Sequence, residues 1–259
     1  MTTAPNMLAR TCALAGAALV VITALIGCDG GSKDRALAPP QVLVAPYDTS
    51  RGELLWAVAP LRNESGTTLA DPLAITDKVI LAVEEVRGIR CLPLNRVIEG
   101  MRSLEMPAVR TPDDARRLAA ALGAEGVLVG SITAYDPYNP PKLGLALALH
   151  SAAGSADART LDTRSLSTSP TDPPARWTGD RPTTVVSELL DGANHQVLMD
   201  VRAYAQGRHD DRSALGWEVY LASMDRYAQF AAHHTVNRLI QSEWLRLTNE
   251  AGRQAQAPN

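Results

Sequence analysis

Apolar positions along the chain fall into short runs and alternations, separated by stretches in which they recur every three or four residues. These are the periodicities of strands and helices. The clearest run is Leu54-Leu55-Trp56-Ala57-Val58-Ala59, followed by Pro60-Leu61 and the polar turn Arg62-Asn63-Glu64-Ser65-Gly66. It reads as a buried strand entering a turn that feeds a helix. Asp71 then stands as an N-cap with Pro72 at the first helical position. Ile75, Val79, Ala82, Val83 and Val86 follow at helical spacing, and Gly88 is placed to stop the helix at C′. Residues 89–94 predict a second strand, and a connection of this length joins parallel strands in a βαβ unit. Residues 41–47 predict a further strand, which Pro46 confines to a sheet edge.

Asn95 is placed to cap a short helix whose Val97, Ile98, Met101 and Leu104 face inward. The next helix has both ends specified: Thr111 as N-cap, Pro112 at N1, Asp113 and Asp114 favourable to the dipole, and Gly123 after the stripe Ala115, Leu118, Ala119 and Leu122. Residues 126–135 predict a third strand and 142–151 a fourth. In the fourth, Leu143, Leu145, Leu147 and Leu149 alternate with Gly144, Ala146, Ala148 and His150, giving one bulky and one small face. Between them, Asp136-Pro137-Tyr138-Asn139-Pro140-Pro141 predicts a hairpin with a stiff, protruding tip.

Residues 153–183 lack periodicity and read as a flexible insertion. Residues 185–190 and 197–205, on either side of Asp191-Gly192-Ala193-Asn194, read as a second hairpin. Helical spacing then runs from 213 to 247, with Trp217, Leu221, Met224, Ala228, Ala231 and Leu239 on one stripe that Tyr220, Tyr227, Ile240 and Trp244 widen. Such a helix is roughly 50 Å long at 1.5 Å per residue, so it either kinks or projects beyond the sheet. Residues 251–259 read as a disordered tail. The elements add up to an α/β (α+β) fold over residues 41–250: a mixed β-sheet flanked by helices, with a long C-terminal helix.

Aromatic residues make up only 4% of the chain, with one Phe, so the core rests on Ala, Leu and Val. The net charge of −3, with both signs interspersed, provides no basic footprint for nucleic acid.

Residues 1–28 read as a targeting segment. A basic start is followed by an apolar run over residues 11–26, short for a membrane span, and the run ends in Leu25-Ile26-Gly27-Cys28. This ending resembles the lipobox of bacterial lipoproteins, which implies cleavage before Cys28 and acylation of its thiol. Residues 29–40, rich in Gly and ending in Pro, suit a flexible tether. Cys91 is then the one thiol left in the mature domain. It lies in a short apolar strand, where a buried, inert thiol is expected.

Two segments carry a further resemblance. Ala57-Val58-Ala59-Pro60-Leu61-Arg62-Asn63-Glu64-Ser65-Gly66 followed by a helix, and Ala119-Ala120-Ala121-Leu122-Gly123-Ala124-Glu125-Gly126-Val127-Leu128-Val129-Gly130-Ser131, are similar to the CsgG/TolB-N-terminal-like group. That group includes the curli secretion-channel lipoprotein and lipoprotein activators of penicillin-binding proteins. The resemblance covers roughly residues 54–149 and its motifs are signatures of fold. It implies a small αβ domain on a lipid anchor, used for assembly, activation or transport at the envelope. The chain lacks the amphipathic alternating stretches of a curli-type pore.

The chemistry-bearing patterns are sparse. The turn after the first strand has one Gly and no Lys, short of what a phosphate loop needs. His233 and His234 are adjacent on a helix and diverge by about 100°, so they cannot face one metal ion. No serine sits in a nucleophile elbow, and the carboxylate pairs are sequence neighbours on solvated segments. Partner binding has better candidates: Tyr135, Tyr138, Asn139 and Pro140 at the hairpin tip, either as rigid aromatic contact area or as tyrosines packed on their own sheet. For Trp217, Tyr220, Tyr227 and Trp244, core packing is favoured by their shared stripe. The sequence thus points to a non-enzymatic, lipid-anchored envelope protein on the periplasmic face of the inner or outer membrane. It would work by binding an envelope protein, without a cofactor beyond the lipid on Cys28. The alternative is a small-ligand or nucleotide-binding module.

Overall fold

The computed structural model describes residues 42–50, 52–151, 182–210 and 212–256. The lipobox with Cys28, the proposed tether and nearly all of the insertion lie outside them. Strand β1 (Leu54–Val58) is central to the parallel part of the sheet, and its Trp56, Ala57 and Val58 are fully buried. Helix α1 (Pro72–Glu84) begins as the sequence predicts, with Asp71 accepting from the amides of Leu73 and Ala74. The chain then returns as β3 (Ile89–Cys91), parallel to β1. The helix ends earlier than Gly88, which adopts φ +94° in the link to β3. β3 is likewise shorter than expected, because α2 (Leu94–Ser103) starts at Leu94, with Pro93 rather than Asn95 at its N-cap.

Helix α3 (Pro112–Leu122) carries a full capping box between Thr111 and Asp114, and Gly123 closes it at φ +65°. It delivers β4 (Gly126–Asp136) to the other side of β1, again in parallel. β5 (Lys142–Ser151) pairs with β4 as the predicted hairpin, and β6 (Thr184–Asp191) adds an antiparallel edge strand. The strand order is β3-β1-β4-β5-β6. A two-residue strand, β2 (Arg62–Asn63), continues the lane of β1 along β4. Four steps from Val58 to Arg62 oppose three from Leu128 to Ser131, so the lane contains a bulge. Pro60 sits in it, where its lack of an N–H breaks no ladder bond. The Leu61 amide instead donates to the buried Thr76 hydroxyl at 3.0 Å.

Several expectations are corrected. The predicted second hairpin is strand β6 followed by helix α4 (His195–Ala205). Asn194 caps it through the Gln196 amide, and its buried residues Val197, Val201 and Ala205 follow a period of four, not two. The long C-terminal helix is present as expected but starts later than residue 213. A 3₁₀ turn (Gly216–Glu218) and the short α5 (Val219–Ala222) precede an extended Ser223, and α6 then runs without interruption from Met224 to Gln256. Helix therefore continues well past Leu247, through residues read as a tail. Tyr220 and Tyr227 are buried as expected, but Trp244 is half exposed. Residues 42–47 form no strand, only an isolated bridge between Val44 and Arg87.

The two sheet faces are covered unequally. α1, α4 and α6 enclose the larger core with Trp56, Leu128, Ile132 and the four leucines of β5. α2 and α3 enclose a smaller one over Ala57, Ala59 and Val127. Gly130 and Gly144 lie where a Cβ would meet backbone atoms, Ala146 O at 2.5 Å and Ala134 N at 2.9 Å, so the β4–β5 approach depends on glycine.

A buried carboxylate locks α6 in place. Glu243 has no exposed surface. Tyr47 Oη donates to its Oε1 at 2.8 Å and Thr184 Oγ1 to its Oε2 at 2.5 Å, while the Arg246 guanidinium pairs with both oxygens. Burial and the adjacent Glu243 charge push the Tyr47 phenol far up. The replacement Glu243→Ala leaves Arg246 and two hydroxyls without this acceptor, and a loss of about 3–5 kcal/mol is expected in denaturant unfolding. Tyr47→Phe, which keeps the ion pair, is expected to cost about 1 kcal/mol.

Candidate partner-binding surface

Register fixes which features share an end of the molecule. β1 ends at the same level as the start of α1, and α1 and the residues after it run back to Arg87, which bridges Val44 close to where the described residues begin. β6 starts at Thr184 against Glu243 of α6 and finishes at Asp191 against Lys142, beside the β4–β5 tip. The tip and the chain entry at Val42 therefore lie at opposite poles. The ten residues of β5 separate them by roughly 30 Å.

The tip is built from braced backbone. Asp136 Oδ1 accepts from the Tyr138 amide at 3.1 Å, and the Gly192 amide donates to Pro141 O at 2.8 Å. Lys142 and Asp191 form an ion pair at 2.8 Å that holds the turn after β6 against the tip, and its hydrogen bond keeps the Asp191 carboxyl below its ordinary range. A Cβ on Gly192 would lie 2.9 Å from Pro141 O, so only glycine admits this contact. On this support Tyr138 is 73% exposed, and Asn139 and Pro140, joined by a cis peptide, are exposed beside it. Tyr135 differs: it packs partly against the larger core, where burial and the charge of Asp71 push its phenol up. The structure thus separates the four predicted residues into three that present themselves and one that supports them.

The turn at Asn63-Glu64-Ser65-Gly66 is self-contained. Asn63 Oδ1 accepts from the Ser65 amide and hydroxyl, its Nδ2 donates to Thr67 O, and the Glu64 amide bonds into β4 at Ile132 O. These groups build the turn. Cys91 is buried, and burial pushes its thiol up to about 12. His234 packs beside Phe230, and burial lowers its pKa. Among the described residues, no group of three or more His, Cys, Asp or Glu converges as for a metal ion, and no helix is long and apolar enough to cross a membrane.

Two concavities have no local sequence signal. One, of about 650 Å³, lies where the chain leaves β1, between Pro60, Leu73 and the α2 residues Ile98 and Met101, with Met106 beyond them. Here the crossovers diverge, α1 toward β3 and α2–α3 toward β4, the position at which open α/β sheets present crevices. The other, of about 510 Å³, holds a charge cluster assembled from distant segments. Arg208 grips both oxygens of Glu85 at 2.9 and 2.8 Å and lies 4.4 Å from the Tyr204 ring, while His233 Nδ1 is 2.9 Å from Glu85 Oε2. Burial alone would raise the Glu85 carboxyl. The hydrogen bonds from His233 and Arg208 outweigh it and hold it at about 2.

No protein-family model matches the chain, and no curated protein does. Solved structures share part of its backbone path. The LpoB C-terminal domain from Salmonella enterica is 13% identical over 59% of this chain and 87% of its own, with a TM-score of 0.36. Lipoprotein GNA1162 from Neisseria meningitidis is 14% identical over 61% and 99%, with a TM-score of 0.39. The hypothetical protein CT253 from Chlamydia trachomatis is 10% identical over 75% and 94%, with a TM-score of 0.32. No residue role is carried over from them, and the likeness to the CsgG/TolB-N-terminal group rests on the sequence segments alone.

Glu85 provides a pH test of the cluster. With its folded pKa near 2 and an ordinary value of 4.5, its contribution to stability is complete above the ordinary value and is lost as pH falls toward 2, since the unfolded chain takes up the proton first. Glu85→Gln is expected to lower stability at pH 7 by about 1 kcal/mol, after allowing for partial solvent screening. It should also flatten the acid limb of the unfolding curve between these two pKa values.

Proposed function

We propose that the protein is a lipoprotein acylated at Cys28, which presents the tip Tyr138-Asn139-Pro140 to another protein of the bacterial envelope. Its role is binding rather than catalysis. The observation that carries this reading is the polarity of the domain: the chain enters at one pole, and a braced turn exposes a tyrosine at the other. An anchor at residue 28 attaches at the pole opposite the tip, which is already ordered, so capture of a partner costs little conformational entropy. Tyr138 has the character of an interface anchor, since a tyrosine brings large contact area with few rotatable bonds.

A second reading rests on the apolar groove beside Pro60 and Leu73. Its place where the crossovers diverge and its methionine-rich lining suit a small apolar ligand, with the exposed Arg102 near it for an anionic head.

In cells, replacing residues 1–28 by a cleavable secretory signal that leaves no Cys28 is expected to shift the protein from the membrane fraction to the soluble fraction; retention of that unacylated chain at the membrane would overturn the anchor. Tyr138→Ala is expected to reduce photo-crosslinked partner capture at least tenfold, an anchor worth about 1.4 kcal/mol or more, with Tm unchanged. Equal capture by both proteins would remove the tip from the proposal. The groove reading expects medium-chain fatty acid to raise Tm saturably, by about 2.7 kcal/mol of added stability at a hundred times Kd. It also expects Leu73→Asp to abolish the rise.

A further inference from the structure

We infer that the pole where the chain enters is a docking face for the surface of a lipid bilayer, an inference that rests on the proposed acylation of Cys28. Four apolar side chains are exposed there: Val42 at 55%, Val44 at 48%, Trp244 at 49% and Leu245 at 66%. Val42 and Val44 alternate outward from an extended segment whose Leu43 and Ala45 face the core. Trp244 stands against that segment, with its indole N–H donating to Val44 O at 3.1 Å. Its polar atom is thereby satisfied within the protein, and the open part of the ring enters an interfacial region with no unmet donor, the setting that tryptophan favours.

The covering of α6 changes at the same level. Glu243 is its last fully buried residue, and the helix continues to Gln256, roughly 20 Å further. Leu245 lies on this extension.

Chain length selects the occupant. Thirteen residues, 29–41, separate Cys28 from Val42. They span at most about 45 Å when extended and about 20 Å as a flexible coil. A lipid on Cys28 therefore confines the apolar pole close to the bilayer, and the high local concentration allows a small patch to engage a surface that it would not hold from solution. Charge narrows the chemistry further. Arg246 is paired with Glu243 and Glu250, which leaves the exposed Arg87 beside Val44 and Arg253 two turns further along α6, separated basic side chains rather than a cluster among the described residues of this pole. Contact is therefore apolar, to zwitterionic lipid, rather than electrostatic attraction to anionic headgroups.

The test uses the acylated full chain with Leu245→Cys carrying an environment-sensitive fluorophore. The lipid blocks Cys28, and Cys91 is buried with its thiol pushed up, so the label reports one site. On reconstitution into phosphatidylcholine vesicles containing spin-labelled lipid, the label should shift to the blue and be quenched several-fold. The response should be equal between about 0.05 and 0.5 M salt, where electrostatic attraction would fade. A label at Tyr138→Cys should be unaffected, and adding Val44→Glu should abolish the response at 245. If the chain does not float with vesicles at all, the acylation reading and this inference fall together. Flotation with a water-exposed label at 245 overturns the docking face while the anchor stands. A blue shift without vesicles, in an unacylated chain that begins at residue 29 and so lacks Cys12 and Cys28, at micromolar concentration, assigns the face to a second copy and equally overturns it.

Discussion

One carboxylate with no contact to solvent decides how the two ends of this molecule are arranged. Glu243 receives hydrogen bonds from Tyr47 on the entering segment and Thr184 at the start of β6, and it pairs with Arg246 one turn along its own helix. A buried charge left alone would be prohibitive, so all three contacts must form together. That requirement sets the height of α6 against the sheet and draws residues 42–47 alongside it. Apolar packing alone would tolerate a slide of one helical turn along the leucine face of β5; this carboxylate does not.

The rest of the packing follows from side-chain size. With one Phe in the whole chain, bulk is supplied by leucines aligned on one face of β5, while the opposite face of the same strand is built from Gly and Ala. The large face accepts three helices and the small face admits two, which reach little beyond β1 and β4. The bulge at Pro60 belongs to the same economy of space: it turns the Leu61 amide to Thr76 and lets the lane of β1 resume as β2 along β4. The crevice beside Pro60 opens where this lane breaks.

Elements whose signals are local were legible in the sequence. Asp71-Pro72 and the box from Thr111 to Asp114 began helices where they stand, and the alternating leucines of β5 specified its length to the residue. Residues 197–205, after the turn at 191–194, read as the second strand of a hairpin, although Asn194 and the spacing of Val197, Val201 and Ala205 favour the helix that forms. Glu243 lay on the apolar stripe, four positions after Leu239 and three after Ile240, so its burial left a trace that composition alone obscures. The Glu85–Arg208–His233 cluster left none, since Glu85 is more than a hundred residues from the other two and meets them only after α1 and α6 pack. At the tip, prolines signalled stiffness, but the division of labour between Tyr135 and Tyr138 depends on Asp71 and the larger core, neither of which the hairpin sequence contains.

These constraints converge on a directional object. The β4–β5 hairpin extends to one pole, and its tip is stiffened by its own Asp136 carboxylate, which accepts from the Tyr138 amide, and by the neighbouring turn after β6: the Gly192 amide, the Asp191 carboxylate and the close approach that only glycine permits. Glu243 fixes the opposite pole, where the chain arrives and α6 passes beyond the sheet. A rigid sheet between the two means that the orientation of one pole determines the orientation of the other. If the proposed lipid on Cys28 were the only attachment, the tip could point anywhere; the proposed contact of the apolar entry pole with the bilayer would confine it. Under the proposed function, the exposed side chains at the two ends would have complementary work, Trp244 and its neighbours setting the direction in which Tyr138 is offered.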